Sequence, residues 1–287
     1  MGYVEAWAAA MAPSSSEGRA PMAGNLRPEV TASPLRRGPW IMRQRWHNLL
    51  FAHWPLDPLA LRAAVPRELQ IDTFGGEAWL GLVVFGLSGI KLRGLPEVKP
   101  LASFPEVNLR TYVSYQGQPG VYFISLDADN PLAVAIASRW FKLNYYDAEI
   151  RYTRDAAGFH FKSRRIQRRL PEARLDVTYA PADNATAAPC DERLQEWLTE
   201  RYCYYVARGG RVERCDIEHR PWSLQSARAG FRENSIALPY GIQLDGAEAL
   251  LHYSRYMEAH IWPLRRTEKR PCMGSVALRS LQRQLVR

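Results

Sequence analysis

The chain of 287 residues is 47% hydrophobic and 23% charged, with 9 Trp and 14 Tyr, which supplies one large core and excludes a wholly disordered polypeptide. Its formal net charge of +9 comes almost entirely from arginine, with lysine only at Lys91, Lys99, Lys142, Lys162 and Lys269; this skew argues residue usage rather than a phosphate surface, so nucleic acid is not an expected partner. The 4 cysteines form no C-x-x-C pair and no disulfide framework, and no apolar run approaches the ~20 residues that span a bilayer, so reduced thiols in a cytoplasmic protein away from membranes are expected.

Residues 1–38 are rich in Ala, Pro, Ser, Gly and Arg without periodicity and are expected to be a disordered extension. Met42 directly precedes the first patterned strand, which leaves open whether the preceding residues belong to the native protein. From Arg43 a straight strand would set Arg45, His47, Leu49, Phe51 and His53 on one face and Trp46, Leu50 and Trp54 on the other. Asp57-Pro58 then provides an N-cap and a proline at the first helical position for a short helix that Pro66 closes. Apolar segments at 69–71 and 78–87 are predicted to pair as a hairpin across the turn-rich 72–76, and a second hairpin joins 106–115 to 121–126 across 116–120.

A helix is expected over 131–141 and another over 191–200, with strands near 146–154, 159–166, 173–179, 202–207, 211–217 and 249–261. About ten strands with two or three short helices and no regular βαβ alternation predict a mainly β (α+β) fold whose antiparallel sheet is closed or nearly closed. The β domain is placed at 39–265 and a basic C-terminal tail at 266–287.

The most informative strand is 104–112, where period-two geometry sets Glu106, Asn108, Arg110 and Tyr112 on one face and Val107, Leu109 and Val113 on the other. With its apolar side already supplied, the polar side meets water, itself or a ligand. One reading is a wet ladder with a Glu106–Arg110 pair. The other is an interior pocket in which Arg110 grips a carboxylate through its planar fork and Glu106 acts as acid or base. A later strand would gather His252, Glu258 and His260, but their spacing matches no familiar metal motif, and no metal is expected. The basic run 162–169 alternates with other residues and fits a solvated strand face. Gly75-Gly76 and Gly209-Gly210 punctuate hairpins rather than cradle phosphates, no G-x-S-x-G elbow occurs, and no cofactor is expected.

Four segments in order, 46–54 (WHNLLFAHW), 104–112 (FPEVNLRTY), 120–128 (GVYFISLDA) and 219–225 (HRPWSLQ), closely resemble the YqjF-like family of uncharacterised bacterial proteins. The closing 251–255 (LHYSR) and 261–264 (IWPL) match its end, so the resemblance spans about 40–265. It implies membership of the acetoacetate-decarboxylase-like superfamily, with an antiparallel β cone or barrel around a small-molecule cavity. The stretch 139–146 (RWFKLNYY) is similar to the decarboxylase segment in which an Arg precedes a Phe-Pro-Lys-Lys type run, and Glu106 is similar to that enzyme's active-site glutamate.

The resemblance sets Tyr145 where the decarboxylase has its Schiff-base lysine, and a phenol cannot condense with a ketone to form an iminium. Lys142 lies three positions away and would need a register shift to replace it. The expected site is therefore Glu106 and Tyr145 for proton transfer, with Arg110, Asn108, Tyr112 and Arg139 binding substrate. The expected function is an enzyme or binder for a small organic acid or carbonyl compound without a Schiff-base lysine. A non-catalytic sensor and a structural scaffold are the alternatives, and a homo-oligomer is left open.

Overall fold

The computed structural model describes residues 38–96, 103–167, 170–182, 191–244 and 248–267. The extension expected over 1–38 and the tail expected over 266–287 lie outside the described residues, except for residues 38, 266 and 267. The strands are β1 (Met42–Leu56), β2 (Gln70–Ile71), β3 (Ala78–Leu92), β4 (Ser103–Tyr115), β5 (Gln118–Ala128), β6 (Tyr145–Asp155), β7 (Gly158–Arg165), β8 (Arg174–Pro181), β9 (Cys203–Arg208), β10 (Arg211–His219), β11 (Gln225–Asn234), β12 (Leu250–Ile261) and β13 (Arg265–Arg266). The helices are α1 (Pro58–Arg62), α2 (Pro131–Trp140) and α3 (Glu192–Thr199).

Each helix begins where local chemistry dictates. The side chains of Asp57, Asn130 and Asp191 accept from the backbone N–H of Leu59, Ala133 and Arg193, and Pro58 and Pro131 occupy the first helical position of α1 and α2. Among the described residues no helix is long and apolar enough to cross a membrane. Basic residues in the described part of the run 162–169 are paired: Lys162 with Asp176, Arg164 with Glu149 and Arg165 with Asp127.

Neighbouring strands follow the order β13-β10-β9-β5-β6-β7-β8-β11-β12-β1-β3-β4-β2, and further pairings β4–β5 and β10–β12 bring the sheet round on itself. Most pairings are antiparallel; β5 pairs in parallel with β6 and with β9. The β5–β6 connection runs through α2, so a crossover interrupts the antiparallel sheet expected from sequence.

The hairpin expected between 69–71 and 78–87 does not form, because β2 pairs with β4 instead, Gln70 opposite Ser114 and Ile71 opposite Val113. Both long edges of β3 are taken, by β1 and by β4, while the β3–β4 ladder stops at Thr111 and leaves the next residues of β4 free for β2. β11 was not expected at all. Its sequence QSARAGFREN carries only a weak alternation, Ala227, Ala229 and Phe231, which packs against the first core while the strand pairs with β8 from Ala227 to Asn234.

Two cores lie on opposite faces of the central strands. Leu80, Leu82 and Val84 of β3 join Val107, Leu109 and Val113 of β4 in the first. Val83, Phe85 and Leu87 join Phe104 and Tyr112 in the second, the side of β4 that carries Glu106, Asn108 and Arg110. The straight β1 expected from sequence is corrected here. Register against β3 runs His47 to Gly86 and then Leu50 to Val84, so β1 holds one residue more than its partner. The extra residue centres on Asn48 at φ 51°, and the bulge brings Trp46 to the same face as Leu49 and Phe51.

Three tyrosines hold that bulge. The Tyr152 and Tyr179 hydroxyls donate to the Asn48 carbonyl at 3.3 and 2.5 Å, and the Tyr253 hydroxyl donates to Asn48 Oδ1 at 2.9 Å. Asparagine tolerates positive φ better than other residues with a Cβ and here also supplies an acceptor. Asn48→Ala is therefore expected to cost about 2–3 kcal/mol in urea unfolding, and Asn48→Gly about 1 kcal/mol less, because glycine relieves the backbone but not the orphaned hydroxyl. Equal losses for the two variants would show that backbone conformation is not what selects asparagine.

Candidate functional site

The second core is hollow. A cavity of about 130 Å³ runs along β4, with Glu106, Asn108 and Arg110 in one wall. Trp46, Leu49 and Phe51 of β1 and Val83 and Phe85 of β3 form the adjoining wall. Ala133, Ile136 and Ala137 of α2 cover it from one side, and Trp222, in the segment after β10, covers it from another. Trp222 is fixed by its backbone N–H to Glu200 Oε1 and by its indole N–H to the Thr199 carbonyl.

Register explains how Tyr145 reaches this wall. On β5, Ala128 lies opposite Glu106 and Leu126 opposite Asn108, and Leu126 in turn pairs with Tyr145 at the start of β6. Tyr145 reaches across β5 and donates its hydroxyl to Glu106 Oε2 at 2.7 Å. Glu106 is 2% exposed, and burial pushes its carboxyl up to about 7 against the opposing pull of hydrogen bonds from Tyr145 and Asn108. Tyr145 is held well above the ordinary phenol value by burial and by the neighbouring Glu106 charge, so it remains a donor. A carboxyl balanced near neutrality and held by a phenol can both take and return a proton.

Arg110 leans the other way, towards β3. Gly81 is its partner there and also faces His53 of β1; a Cβ on Gly81 would come within 3.1 Å of the His53 ring and 3.3 Å of Arg110 Cγ. The missing side chain is what lets both residues lie over this point. The guanidinium sits above the rings of Phe51 and Tyr112, 5.5 and 5.8 Å from their centroids, and Nη2 donates to the Leu198 carbonyl at 3.4 Å. Among the described residues no carboxylate forms an ion pair with Arg110, and its buried Nε has no hydrogen-bond partner. The wet ladder with a Glu106–Arg110 pair is thus not what this face forms.

The remaining residues singled out from sequence divide. Asn108 lines the cavity, with its buried Oδ1 unpartnered. Tyr112 is fully buried beyond Arg110, outside the cavity lining, and its hydroxyl meets His53 Nε2 at 2.7 Å. Burial holds His53 well below the ordinary imidazole value, with the Arg110 charge acting the same way, so the ring is neutral. Arg139 is exposed in the last turn of α2 and is not among the lining residues. Lys142, at φ 54° just past α2, pairs with Glu213 at 2.5 Å, and none of the lining residues is a lysine.

Sequence reasoning missed Trp46, Gly81 and Trp222 as parts of the site. Trp222 stood in the 219–225 segment that carried the family resemblance, whereas Gly81 had no local signal. Of the cysteines, Cys203 and Cys215 are free and buried, while Cys190 and Cys272 lie outside the described residues. No cluster of three or more His, Cys, Asp or Glu side chains suited to a metal occurs among the described residues.

Residues 43–258 match the family DUF2071, described as uncharacterized conserved protein. The chain is 42% identical over 229 residues to the uncharacterized protein YqjF of Bacillus subtilis, an alignment that covers 80% of this chain and 93% of that protein. An acetoacetate decarboxylase-like enzyme from Sphingomonas wittichii superposes with a TM-score of 0.52 at 11% identity, covering 80% of this chain and 94% of the other. The enduracididine biosynthesis enzyme MppR, complexed with the condensation product of pyruvate and imidazole 4-carboxaldehyde, gives a TM-score of 0.52 at 14% identity over 85% and 97% of the two chains. At such identities the structural likeness establishes an acetoacetate-decarboxylase-like fold and nothing finer.

Proposed function

We propose that this chain, which belongs to the DUF2071 family, binds a small organic acid through Arg110 and exchanges a proton with it through the Glu106–Tyr145 pair. The observation that carries this reading is a buried carboxyl, pushed up to about 7, sharing one cavity with an arginine that has no carboxylate partner among the described residues. An enzyme of the same fold held a pyruvate-derived product in its complex, which supports an oxo acid as ligand.

In the proposed reaction the Glu106 carboxylate takes a proton from the carbon beside the ligand's carbonyl. The C–H electron pair moves to the carbonyl oxygen as an enolate, and Glu106 returns a proton to the same carbon. Tyr145 and Asn108 orient the carboxyl towards the substrate. No covalent adduct is involved, since no lysine lines the cavity among the described residues.

The test is deuterium uptake, followed by NMR, into a panel of oxo acids whose carbonyl stands progressively further from the carboxylate, in deuterium oxide. Uptake should rise with pH through about 7, as the carboxylate form of Glu106 accumulates. Glu106→Gln should lower the rate by a factor on the order of 10²–10⁴ and leave binding nearly unchanged. Arg110→Lys should weaken binding about tenfold, because an ammonium does not reproduce the planar two-toothed contact. Uptake that is indifferent to Glu106→Gln would sink the catalytic role.

A further inference from the structure

The walls of the cavity carry more information about the ligand than its two charged groups do. Of the 25 lining residues only Glu106 and Arg110 bear formal charge, and Arg110 is the only cation. Most of the others are aliphatic or aromatic. A ligand with a second anionic group, or with more hydroxyls than Gln44, Asn108 and Tyr204 can meet, would press unpartnered polar atoms against these walls. A ligand with one anionic end and an apolar body would not.

The aromatic part of the wall is pre-formed. Trp46 stacks on Trp222 with ring centroids 6.0 Å apart at 15°, Phe51 meets Trp222 edge-on at 4.9 Å, and Trp46 lies 6.0 Å from Phe85. With the Trp222 backbone and indole both hydrogen-bonded, this wall cannot collapse into the space beside it without breaking those bonds. The volume is also informative. An engineered apolar cavity of ~150 Å³ holds a benzene ring, and the present cavity of about 130 Å³ is of that size.

Geometry along β4 excludes the smallest acids from reaching both functional groups. Glu106 and Arg110 are four residues apart, about 13 Å at the backbone, and their side chains diverge. Glu106 turns over β5 to Tyr145 on β6, and Arg110 turns over Gly81 on β3. A three-carbon acid seated on Arg110 leaves most of the wall uncovered.

We infer that the ligand is a monocarboxylic acid whose body is a single apolar ring, or a branched alkyl group of similar volume. Its carboxylate lies on Arg110, and its body packs against Trp46, Phe51, Phe85 and Trp222. The inference rests on the acid-binding reading above and narrows it.

Isothermal titration of the whole chain with a fixed series of probes tests it: phenylacetate, isocaproate, pyruvate, acetoacetate, succinate and the uncharged phenylacetamide. Phenylacetate and isocaproate should bind at least about tenfold more tightly than pyruvate and acetoacetate, and phenylacetamide and succinate at least about tenfold more weakly than phenylacetate. Ala137→Trp, which projects an indole from α2 into the cavity, should lower phenylacetate affinity by about tenfold or more. Pyruvate binding as tightly as phenylacetate, with both weakened by Arg110→Lys, would overturn the inference and leave the acid-binding reading standing. If Arg110→Lys changes the affinity of none of these acids, reading and inference fall together.

Discussion

Methionine in place of Arg165 is expected to destabilise the protein by about 3–5 kcal/mol at pH 8, because it strands a buried carboxylate. Arg165 and Asp127 are each 1% exposed at the side chain, with Nη2 to Oδ1 at 2.9 Å and Nε within 3.1 Å of both carboxylate oxygens. The guanidinium also lies 4.5 Å from the Tyr146 ring centroid and donates to the Tyr240 hydroxyl at 3.3 Å. This contact ties β5, β6 and β7 together on the face opposite the cavity, directly behind the residues that align Glu106 with Tyr145.

Even with its partner present, burial pushes Asp127 up to about 6, the Arg165 charge opposing it only in part. Without Arg165 the carboxyl is driven further towards its neutral form. Protonation then relieves the variant at low pH, so its deficit should shrink between pH 8 and pH 5. Arg165→Met combined with Asp127→Leu should recover most of the loss, since a well-packed apolar pair replaces a buried ion pair at little cost. Guanidinium unfolding at the two pH values checks both points; a single-variant loss below about 1 kcal/mol would mean that the pair is hydrated rather than buried.

The sequence made the strand pattern legible wherever apolar residues alternate or turns carry glycine, and the polar face of β4 was visible from period-two geometry alone. That face gathers Glu106, Asn108 and Arg110 in one wall, because Val107 and Leu109 hold the opposite core. Three features were hidden, each for a physical reason. The Asn48 bulge flips the face of β1, and a single inserted residue leaves no mark on an alternation already crowded with apolar groups on both sides. β11 sets only Ala227, Ala229 and Phe231 against the first core, and two alanines and one phenylalanine among arginines make too faint an alternation to mark a strand. The contact between Asp127 and Arg165 joins residues 38 positions apart, and local pattern contains nothing about which buried charges meet across a sheet. Arg139, singled out by resemblance, stands exposed on α2 because the crossover turns the helix's apolar side, with Ala133 and Val134, towards the core.

Glu106→Gln is expected to make the protein more pH-resistant than the parent, by about 2.5 kcal/mol over the interval from pH 5 to pH 8. The carboxyl is raised in the folded state from 4.5 to about 7, so the folded protein holds this proton more tightly than the unfolded chain does. Its stabilising contribution is complete below about 4.5 and is lost as pH rises through about 7. A rise of that size corresponds to about 3 kcal/mol at full ionisation. Glutamine keeps the shape and still accepts the Tyr145 hydroxyl, but has no proton to lose, so the variant should escape this decline. Asp127 titrates in the same direction in both proteins, and its charge supplies only a minor part of the Glu106 rise in the parent. The difference in unfolding free energy between variant and parent should therefore be small at pH 5 and grow in the variant's favour towards pH 8. A pH-independent difference would show that water reaches Glu106 and would remove the basis for its role in proton transfer. A growing difference would identify the carboxylate form, the one the proposed reaction needs, as a state the fold tolerates at a cost.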